Sequence, residues 1–295
     1  ITKSELENVR EQVKNGAEPW LGYYTAFAQS AYASRNYSCG NDDGTGKPRD
    51  DNYDSQGMKD RAAADAERAF TQAVMYVITG DEVYRSNAMR ILRVWEQMDP
   101  AKYSYFVDAH IHTGYGLYRM IQAAEIMRYT NCPSEEWAWT DEDTAKFTAN
   151  VVDPAVNTFM EFNDKFMNQH SFPLYGTLAA AIFKDDRAKY EEKVEWTTVN
   201  STAPDSYRTG SIQWVYRLIT TNDATGQPLN PADYHVQHAE MGRDLAHAGD
   251  DVGTLIDLAR MIDIQGTKVN PVTGAVSADA DAVNIYNFLD DRILR

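Results

Sequence analysis

The feature that most constrains the fold of this chain is the recurrence of apolar residues at helical spacing, interrupted by short turn signals. Apolar side chains three and four residues apart form one continuous face of a helix. Gly, Pro, Asn and Asp at the interruptions end one helix and allow the next to begin. The pattern therefore predicts an all-α chain of antiparallel helix hairpins. Because the hairpins are many, they favour an α/α toroid or solenoid over a four-helix bundle.

The helix boundaries follow from capping and turn signals. Ser4 and Glu7 have the spacing of a capping box that opens the first helix, which Asn15-Gly16 closes. The other predicted helical segments are Trp20–Ala33, Lys59–Ile78, a continuation from Asp81 to Met98, Gly116–Tyr129, a segment from Thr140 that Pro154 interrupts, Leu174–Phe183, Arg187–Val199, Val236–Ile262 and Ala280–Leu294. Residues 35–57 predict a long loop, and Ser211–Tyr216 is the one stretch with strand-like alternation. The length allows one large domain or two small ones, with ample core in either case, and we expect residues 1–295 to form a single α/α-toroid domain.

Composition and charge exclude several classes of protein. Apolar residues make up 43 % of the chain and charged residues 24 %, which is typical of a globular protein. The formal net charge is −16, with Lys and Arg scattered along the chain, so we expect no nucleic-acid partner. No apolar run approaches the roughly 18–20 residues that span a bilayer, so we expect no membrane partner.

The cysteines and two glycosylation sequons favour a secreted protein. Cys39 and Cys132 lack the spacing of a zinc site, which leaves a long-range disulfide or two buried thiols, and we expect the disulfide. Asn36 and Asn200 each begin an Asn-x-Ser/Thr sequon, so we expect a glycoprotein. The chain begins at Ile1 and not at Met, which fits a leader removed on secretion.

Polar residues crowd the start of one predicted helix, in the order Asn168-Gln169-His170. Such residues at a helix entrance can line a cleft and provide amide donors and an imidazole. The alternative is that Asn168 only caps the helix and His170 is a surface residue. The sequence leaves both interpretations open.

A second constellation lies in the segment Glu240–His247. On a continuous helix, Glu240, Arg243 and His247 would be spaced i, i+3 and i+7 and would share one face. The alternative is a solvated ion-pair face. The small residues Gly242 and Ala246 favour the functional interpretation, because they let a ligand approach closely.

Signals for a metal or cofactor are weak. His110-x-His112 and His235-x-x-His238 lack a third ligand at a recognised spacing, and the Asn41–Gly44 loop lacks the ligand pattern of an EF-hand. There is no phosphate-binding glycine motif and no nucleophile elbow. We therefore expect no cofactor and no metal.

Four segments in register resemble the alginate lyase family of α/α-toroid polysaccharide lyases. The segments are Asp65–Phe70 with Ile78–Tyr84 and Ile91–Trp95, Gly116–Arg128, Asn168–His170 with Ile182–Arg187, and Gly226-Gln227 with Glu240–Asp244 and His247. The resemblance runs from about residue 60 to the C-terminus. It implies β-elimination on a uronic-acid polysaccharide of the alginate or glucuronan type, with an acidic polysaccharide as partner.

The resemblance also suggests which residues carry the reaction. The uronate carboxylate must be neutralised, a base must remove the C5 proton, and an acid must protonate the departing O4. We assign neutralisation to Asn168, Gln169 and Arg243, and the base to His170 or His247. Tyr234 is the first choice and Tyr175 the second for the tyrosine. We further assign substrate binding to Gln169, Tyr175, Glu240, His110 and His112.

Two alternatives compete with this interpretation. One is an α/α-barrel glycoside hydrolase using Glu240 and Asp244, a pair too close along one helix to straddle a glycosidic bond. The other is a carbohydrate-binding toroid without catalysis. The predicted helix Ala280–Leu294 has apolar residues without an obvious partner, so we expect a second polypeptide to complete the toroid.

Overall fold

The computed structural model describes all residues, 1–295, and most of its helices lie close to where the sequence predicts them. The all-α fold class is confirmed, with only four short strands. The chain divides into two units, Ile1–Glu161 and Phe162–Arg295, each with its own core. The prediction of a single domain stays a prediction. No helix is both long and apolar enough to cross a bilayer.

The first unit contains seven α-helices and one π-helical turn. The helices are α1 (Lys3–Lys14), α2 (Trp20–Ala28), α3 (Gln56–Thr79), α4 (Glu82–Trp95), α5 (Ala109–Tyr129), α6 (Asp141–Phe147) and α7 (Asp153–Phe159), and the π turn Thr148–Val152 joins the last two. The capping box of α1 uses Thr2 and Glu5, two residues earlier than predicted. Thr140 caps α6 in a second capping box with Asp143.

The hairpin of α3 and α4 shows how local signals determine this architecture. Ser55 caps α3 by accepting a hydrogen bond from the Met58 N–H, and Gly80 ends it in the left-handed region at φ 72°. Asp81 then caps α4 through the Val83 N–H. Because the connection is so short, the two helices pack antiparallel, as an αα-hairpin requires.

The first unit's core lies where α3 packs on α4 and α5. Its fully buried side chains include Ala66, Ala69, Ala73, Ala88, Met89, Ile91, Leu92, Trp95, Ala123 and Ala124. Small side chains let the helices approach closely, and a Cβ at Gly116 would lie 3.6 Å from the Ala63 Cα. The core of this unit is therefore built from closely packed helix pairs.

The predicted loop of residues 35–57 is attached to this core through Asp65 on α3. The Asp65 carboxylate, fully buried, accepts hydrogen bonds from the N–H groups of Gly40 and Asn41 and from the Trp95 indole N–H. It also accepts from the Cys39 thiol at 3.2 Å. One buried carboxylate therefore joins the loop, α3 and α4.

The predicted disulfide is absent, because both cysteines are free thiols in the structure. The Cys39 thiol points to Asp65, and the Cys132 thiol donates to the Ser134 carbonyl at 3.0 Å. Burial, followed by the nearby Asp65 charge, raises the pKa of Cys39 to about 12. The thiol is therefore protonated and unreactive, which favours the alternative of two separate thiols.

The second unit contains five helices and two short hairpin sheets. The helices are α8 (Asn168–Phe183), α9 (Arg187–Thr198), α10 (Ile212–Val215), α11 (Leu245–Ile264) and α12 (Phe288–Asp291). The strands β1 (Tyr216–Ile219) and β2 (His235–His238) pair antiparallel, with Tyr216 opposite His238. Strands β3 (Lys268–Val269) and β4 (Val283–Asn284) form the second pair. Helix α8 packs against α9 and α11.

Three predicted elements of this unit are wrong. The predicted helix Val236–Ile262 is the strand β2, a series of turns and then α11, since Asp244 caps a helix that begins only at Leu245. The strand-like stretch Ser211–Tyr216 is mostly the short helix α10, and the strand follows it. The predicted helix Ala280–Leu294 is largely irregular: only the single turn α12 remains of it, and within that turn Leu289, Asp290 and Asp291 have left-handed backbone angles.

The same region removes the argument for a second polypeptide. Ile285 and Phe288, two apolar residues of the predicted helix Ala280–Leu294, are fully buried within the unit. The sequon at Asn200 does not fit the predicted glycosylation, because the Asn200 side chain is fully buried and has no room for a glycan. Asn36 is exposed.

Candidate active site

The start of α8 carries the predicted triplet Asn168-Gln169-His170. Asn168 and Gln169 are half-buried in the first turn of the helix, and Met167 precedes them at φ 50°. The residue at the cap position is Met167, which has no side-chain capping bond, so Asn168 is not the cap. The interpretation of Asn168 as only a helix cap is therefore wrong.

His170 is buried, so the alternative interpretation of His170 as a surface residue is also wrong. Its Nε2 lies 2.9 Å from the Trp196 carbonyl oxygen. Because a carbonyl only accepts hydrogen bonds, Nε2 carries the proton and Nδ1 is the basic nitrogen. Burial lowers the pKa of His170 to about 4, so the imidazole is neutral above that pH.

Two neighbours shape the surroundings of His170. Gly210 lies so close that a Cβ there would be 2.6 Å from the His170 Cβ and from the Met167 carbonyl oxygen. Lys193 is fully buried with its Nζ 3.3 Å from the centre of the Trp196 ring. The positive charge of Lys193 adds to burial in keeping His170 neutral.

The two predicted tyrosines have different surroundings. Tyr175 is buried on α8, and its hydroxyl donates to Asp257 on α11 at 3.0 Å. Tyr234 is half-buried and lies directly before β2. Tyr234 is therefore more accessible than Tyr175 to a bound molecule.

The segment Glu240–His247 forms two connected ion pairs. Glu240 is 6 % exposed and holds the Arg243 guanidinium, whose Nη1 lies 2.9 Å from Oε1. The Arg243 side chain is 52 % exposed. His247 is held by Asp244, whose Oδ2 lies 2.6 Å from Nδ1, and Arg243 Nε is 3.8 Å from the same Oδ2.

The predicted helical face of Glu240, Arg243 and His247 is wrong, because only His247 is on α11. The turns from His238 to Arg243 bring the arginine beside the helix start instead. Asp244 is the residue that joins them, since it caps α11 and contacts both Arg243 and His247.

No prediction from the sequence includes Asp251, and His238 enters those predictions only as a weak metal ligand. Asp251 is fully buried on α11 and accepts a hydrogen bond from the Ser171 hydroxyl at 3.3 Å. His238 is buried on β2, with its Nε2 3.9 Å from Asp251 Oδ2. A signal was available for Asp251, because it falls on the apolar stripe of α11 that includes Leu255, Leu258 and Ile262.

The predicted substrate-binding histidines His110 and His112 lie in the first unit, in the first turn of α5. His110 is buried, and its Nδ1 is 2.7 Å from the Tyr105 hydroxyl. His112 is exposed. The tyrosine and His110 also stack, with ring centres 6.2 Å apart.

Comparison with known proteins gives the family. The model of the alginate lyase family matches residues 8–205 of the 295, and so covers the second half of α1, the helices α2 to α9 and the triplet at the start of α8. The match begins earlier than the predicted residue 60 and ends before Glu240. A search among curated proteins found no significant match. Because the match covers more than half of the sequence, the chain belongs to the alginate lyase family of polysaccharide lyases.

Proposed function

We propose that this protein cleaves a uronic-acid polysaccharide of the alginate or glucuronan type by β-elimination. Family membership supports a polysaccharide lyase with an acidic polysaccharide as substrate. The observation that carries the finer proposal is the arrangement at Asp244. There a half-exposed guanidinium and a carboxylate-bound imidazole lie together at the start of α11.

The first requirement of the reaction is to neutralise the uronate carboxylate, because the C5 proton is only weakly acidic. Arg243 suits this role, since Glu240 orients its guanidinium from the buried side and leaves it half-exposed. The amides of Asn168 and Gln169 are the further donors that we assign to the carboxylate. The positive end of the α11 dipole adds to the attraction for an anion.

The second requirement is a base for the C5 proton and an acid for O4. As the base takes the proton, the C4–O4 bond breaks, a C4=C5 double bond forms, and the departing O4 receives a proton. We assign the base to His247, whose side chain is 33 % exposed, before the buried His170. We assign the acid to Tyr234.

The structure gives no support to the hydrolase alternative. Glu240 is buried and paired with Arg243, whereas Asp244 caps α11 and holds His247. A hydrolase needs one carboxylic acid and one carboxylate facing each other across the bond. Neither carboxylate has that freedom.

The proposed function can be tested by assaying the purified protein on alginate, glucuronan and a neutral glucan. We expect ultraviolet absorbance from the unsaturated product on a uronate polymer only, together with new reducing ends. Arg243→Ala should lower turnover by about a hundredfold. Arg187→Ala is the matched control, because Arg187 is also an exposed arginine paired to a glutamate and lies on α9.

Two outcomes would contradict the proposal. New reducing ends without ultraviolet absorbance would indicate a hydrolase. Binding of the polymers without any product would indicate a non-catalytic carbohydrate-binding protein.

We also infer that the protein is secreted and glycosylated at Asn36. The support is the exposed sequon at Asn36, since the sequon at Asn200 is buried. Mass spectrometry of the protein from its native source before and after enzymatic deglycosylation checks this. A mass without glycan at Asn36 would contradict it.

A further inference from the structure

Asp251 occupies a position in the second unit where three structural elements meet. Its carboxylate, fully buried on α11, accepts a hydrogen bond from the Ser171 hydroxyl on α8 through Oδ1. Its other oxygen, Oδ2, faces His238 on β2 at 3.9 Å and has no hydrogen-bond partner. One carboxylate thus lies between α8, α11 and the β1–β2 hairpin.

His238 continues this connection toward the proposed active site. Its Nδ1 accepts a hydrogen bond from the Glu240 backbone N–H at 3.1 Å. Nε2 therefore carries the proton of the neutral imidazole and faces Asp251. The ring is also held by an edge-to-face contact with Tyr216, which lies directly opposite on β1.

Glu240 is the next residue of the connection. Its Oε1 holds the Arg243 guanidinium, and its Oε2 is buried without a hydrogen-bond partner. The contacts run from Ser171, next to His170, through Asp251 and His238 to Glu240 and Arg243. They therefore connect the start of α8 with Arg243, two parts of the proposed active site that lie on different elements.

The unsatisfied atoms argue against a role in stability alone. A buried carboxylate oxygen without a partner costs free energy, and an apolar side chain on this stripe would avoid that cost. Burial is the largest cause that raises the pKa of Asp251 to about 7, followed by the charge of Glu240. The charge of Asp250 also raises this pKa, and the charge of His247 lowers it. Such costs are typical of groups kept for function.

We propose that Asp251 is a positioning residue for the β-elimination, fixing the start of α8 through Ser171 and the Arg243 guanidinium through His238 and Glu240. This inference rests on the proposed function. In this role Asp251, which is fully buried, acts through its neighbours and not by contact with the substrate. Its effect is to hold the hydrogen-bond donors and the base in one geometry. This matters because a displacement of a catalytic group by about 1 Å can lower the rate a hundredfold.

The test compares Asp251→Asn with Asp263→Asn on a uronate polymer that the wild-type protein cleaves. Asp263 is the matched control, because it also lies on α11 and accepts a hydrogen bond from another element, at Asn284. We expect Asp251→Asn to lower kcat at least tenfold with KM within about twofold, measured per folded molecule. Asp263→Asn should leave both constants within about twofold.

Coupling to Arg243 separates positioning from a general loss of structure. In an Arg243→Ala background, Asp251→Asn should cost much less than in the wild-type background, because the guanidinium that it positions is gone. Should Asp251→Asn fail to fold, Ser171→Ala and His238→Gln replace it in the same comparison.

The outcomes distinguish this inference from the proposed function. A wild-type protein inactive on every uronate polymer contradicts the proposed function. An active wild-type protein whose Asp251→Asn variant matches the Asp263→Asn control overturns only the positioning role. The same holds if the loss is equal in both backgrounds or is a change in KM alone.

Discussion

The Asp244 carboxylate lies 2.6 Å from Nδ1 of His247 through Oδ2, while its Oδ1 accepts the His247 backbone N–H at 2.9 Å. The same side chain therefore caps α11 and orients the imidazole. The His247 N–H is also the main reason that the pKa of Asp244 is below its usual value. Because Nδ1 faces the carboxylate, Nε2 is the nitrogen left for proton transfer.

We predict that Asp244→Asn lowers kcat/KM by about a hundredfold on the preferred uronate polymer. Asn retains the capping role, since Asn and Asp are equally good caps, but it removes the charge that stabilises the imidazolium after proton transfer. Initial rates of ultraviolet absorbance measure the effect, and the helix content by circular dichroism should be unchanged. Rates within about twofold of wild type would show that His247 is not the base.

A second prediction concerns His170 and stability at low pH. The pKa of His170 is about 4 in the folded protein, against about 6.5 in the unfolded chain. Only the unfolded chain takes up this proton as the pH falls from 6.5 to 4, so folding loses on the order of 3 kcal/mol across that window. Above pH 6.5 this contribution is constant.

The comparison of wild type with His170→Asn isolates that contribution. Other groups titrate in the same window, including Asp251, whose raised pKa has the opposite slope, but they are common to both proteins. Urea denaturation at pH 7 and pH 4.5 should show a smaller loss of stability in the variant. Equal losses would mean that His170 is not buried as a neutral imidazole.

A third prediction concerns Asp65, which holds the loop of residues 35–55 to the first unit. Asp65→Ala leaves the N–H groups of Gly40, Asn41 and Trp95 without their acceptor. We expect a loss of about 3–5 kcal/mol in the free energy of unfolding, measured by denaturant titration. Asp60→Ala is the control, because Asp60 is an exposed carboxylate on the same helix and should change stability by less than about 0.5 kcal/mol.

A fourth prediction is that two thiols per chain react with a thiol reagent in the denatured, unreduced protein. In the folded protein Cys39 should react slowly at pH 8, because burial holds its pKa near 12 and the thiolate is scarce. The measurement is the number and rate of thiols titrated before and after denaturation. If no thiol reacts after denaturation, Cys39 and Cys132 form the disulfide that the sequence predicted.

The sequence by itself determined the helical class and the boundaries that depend on neighbouring residues. Ser55, Gly80 and Asp81 act within one turn of their own positions, so α3 and α4 lie within a few residues of their predicted ends. The many Asn, Asp and Gly residues of the segment 35–57 likewise predicted a loop. Family membership was also visible, because the segments that resemble the family follow one another in order along the chain.

The site was only partly visible in the sequence. Spacing predicted that Glu240, Arg243 and His247 share a helical face, whereas the chain turns before Asp244 and brings Arg243 to the helix start by a different route. Asp251 and Ser171 are 80 residues apart, so no local pattern relates them. The irregular path of Leu289–Asp291 was equally hidden, because three residues other than glycine have left-handed backbone angles there.

The physical reason lies in the range of the interactions. Caps, turns and apolar periodicity depend on interactions between residues a few positions apart. These interactions are the same whatever tertiary structure surrounds them. Burial and the direction of an unpaired carboxylate such as that of Asp251 depend on which helices meet. Only the tertiary structure decided those contacts, and with them the charges and protonation states of the proposed active site.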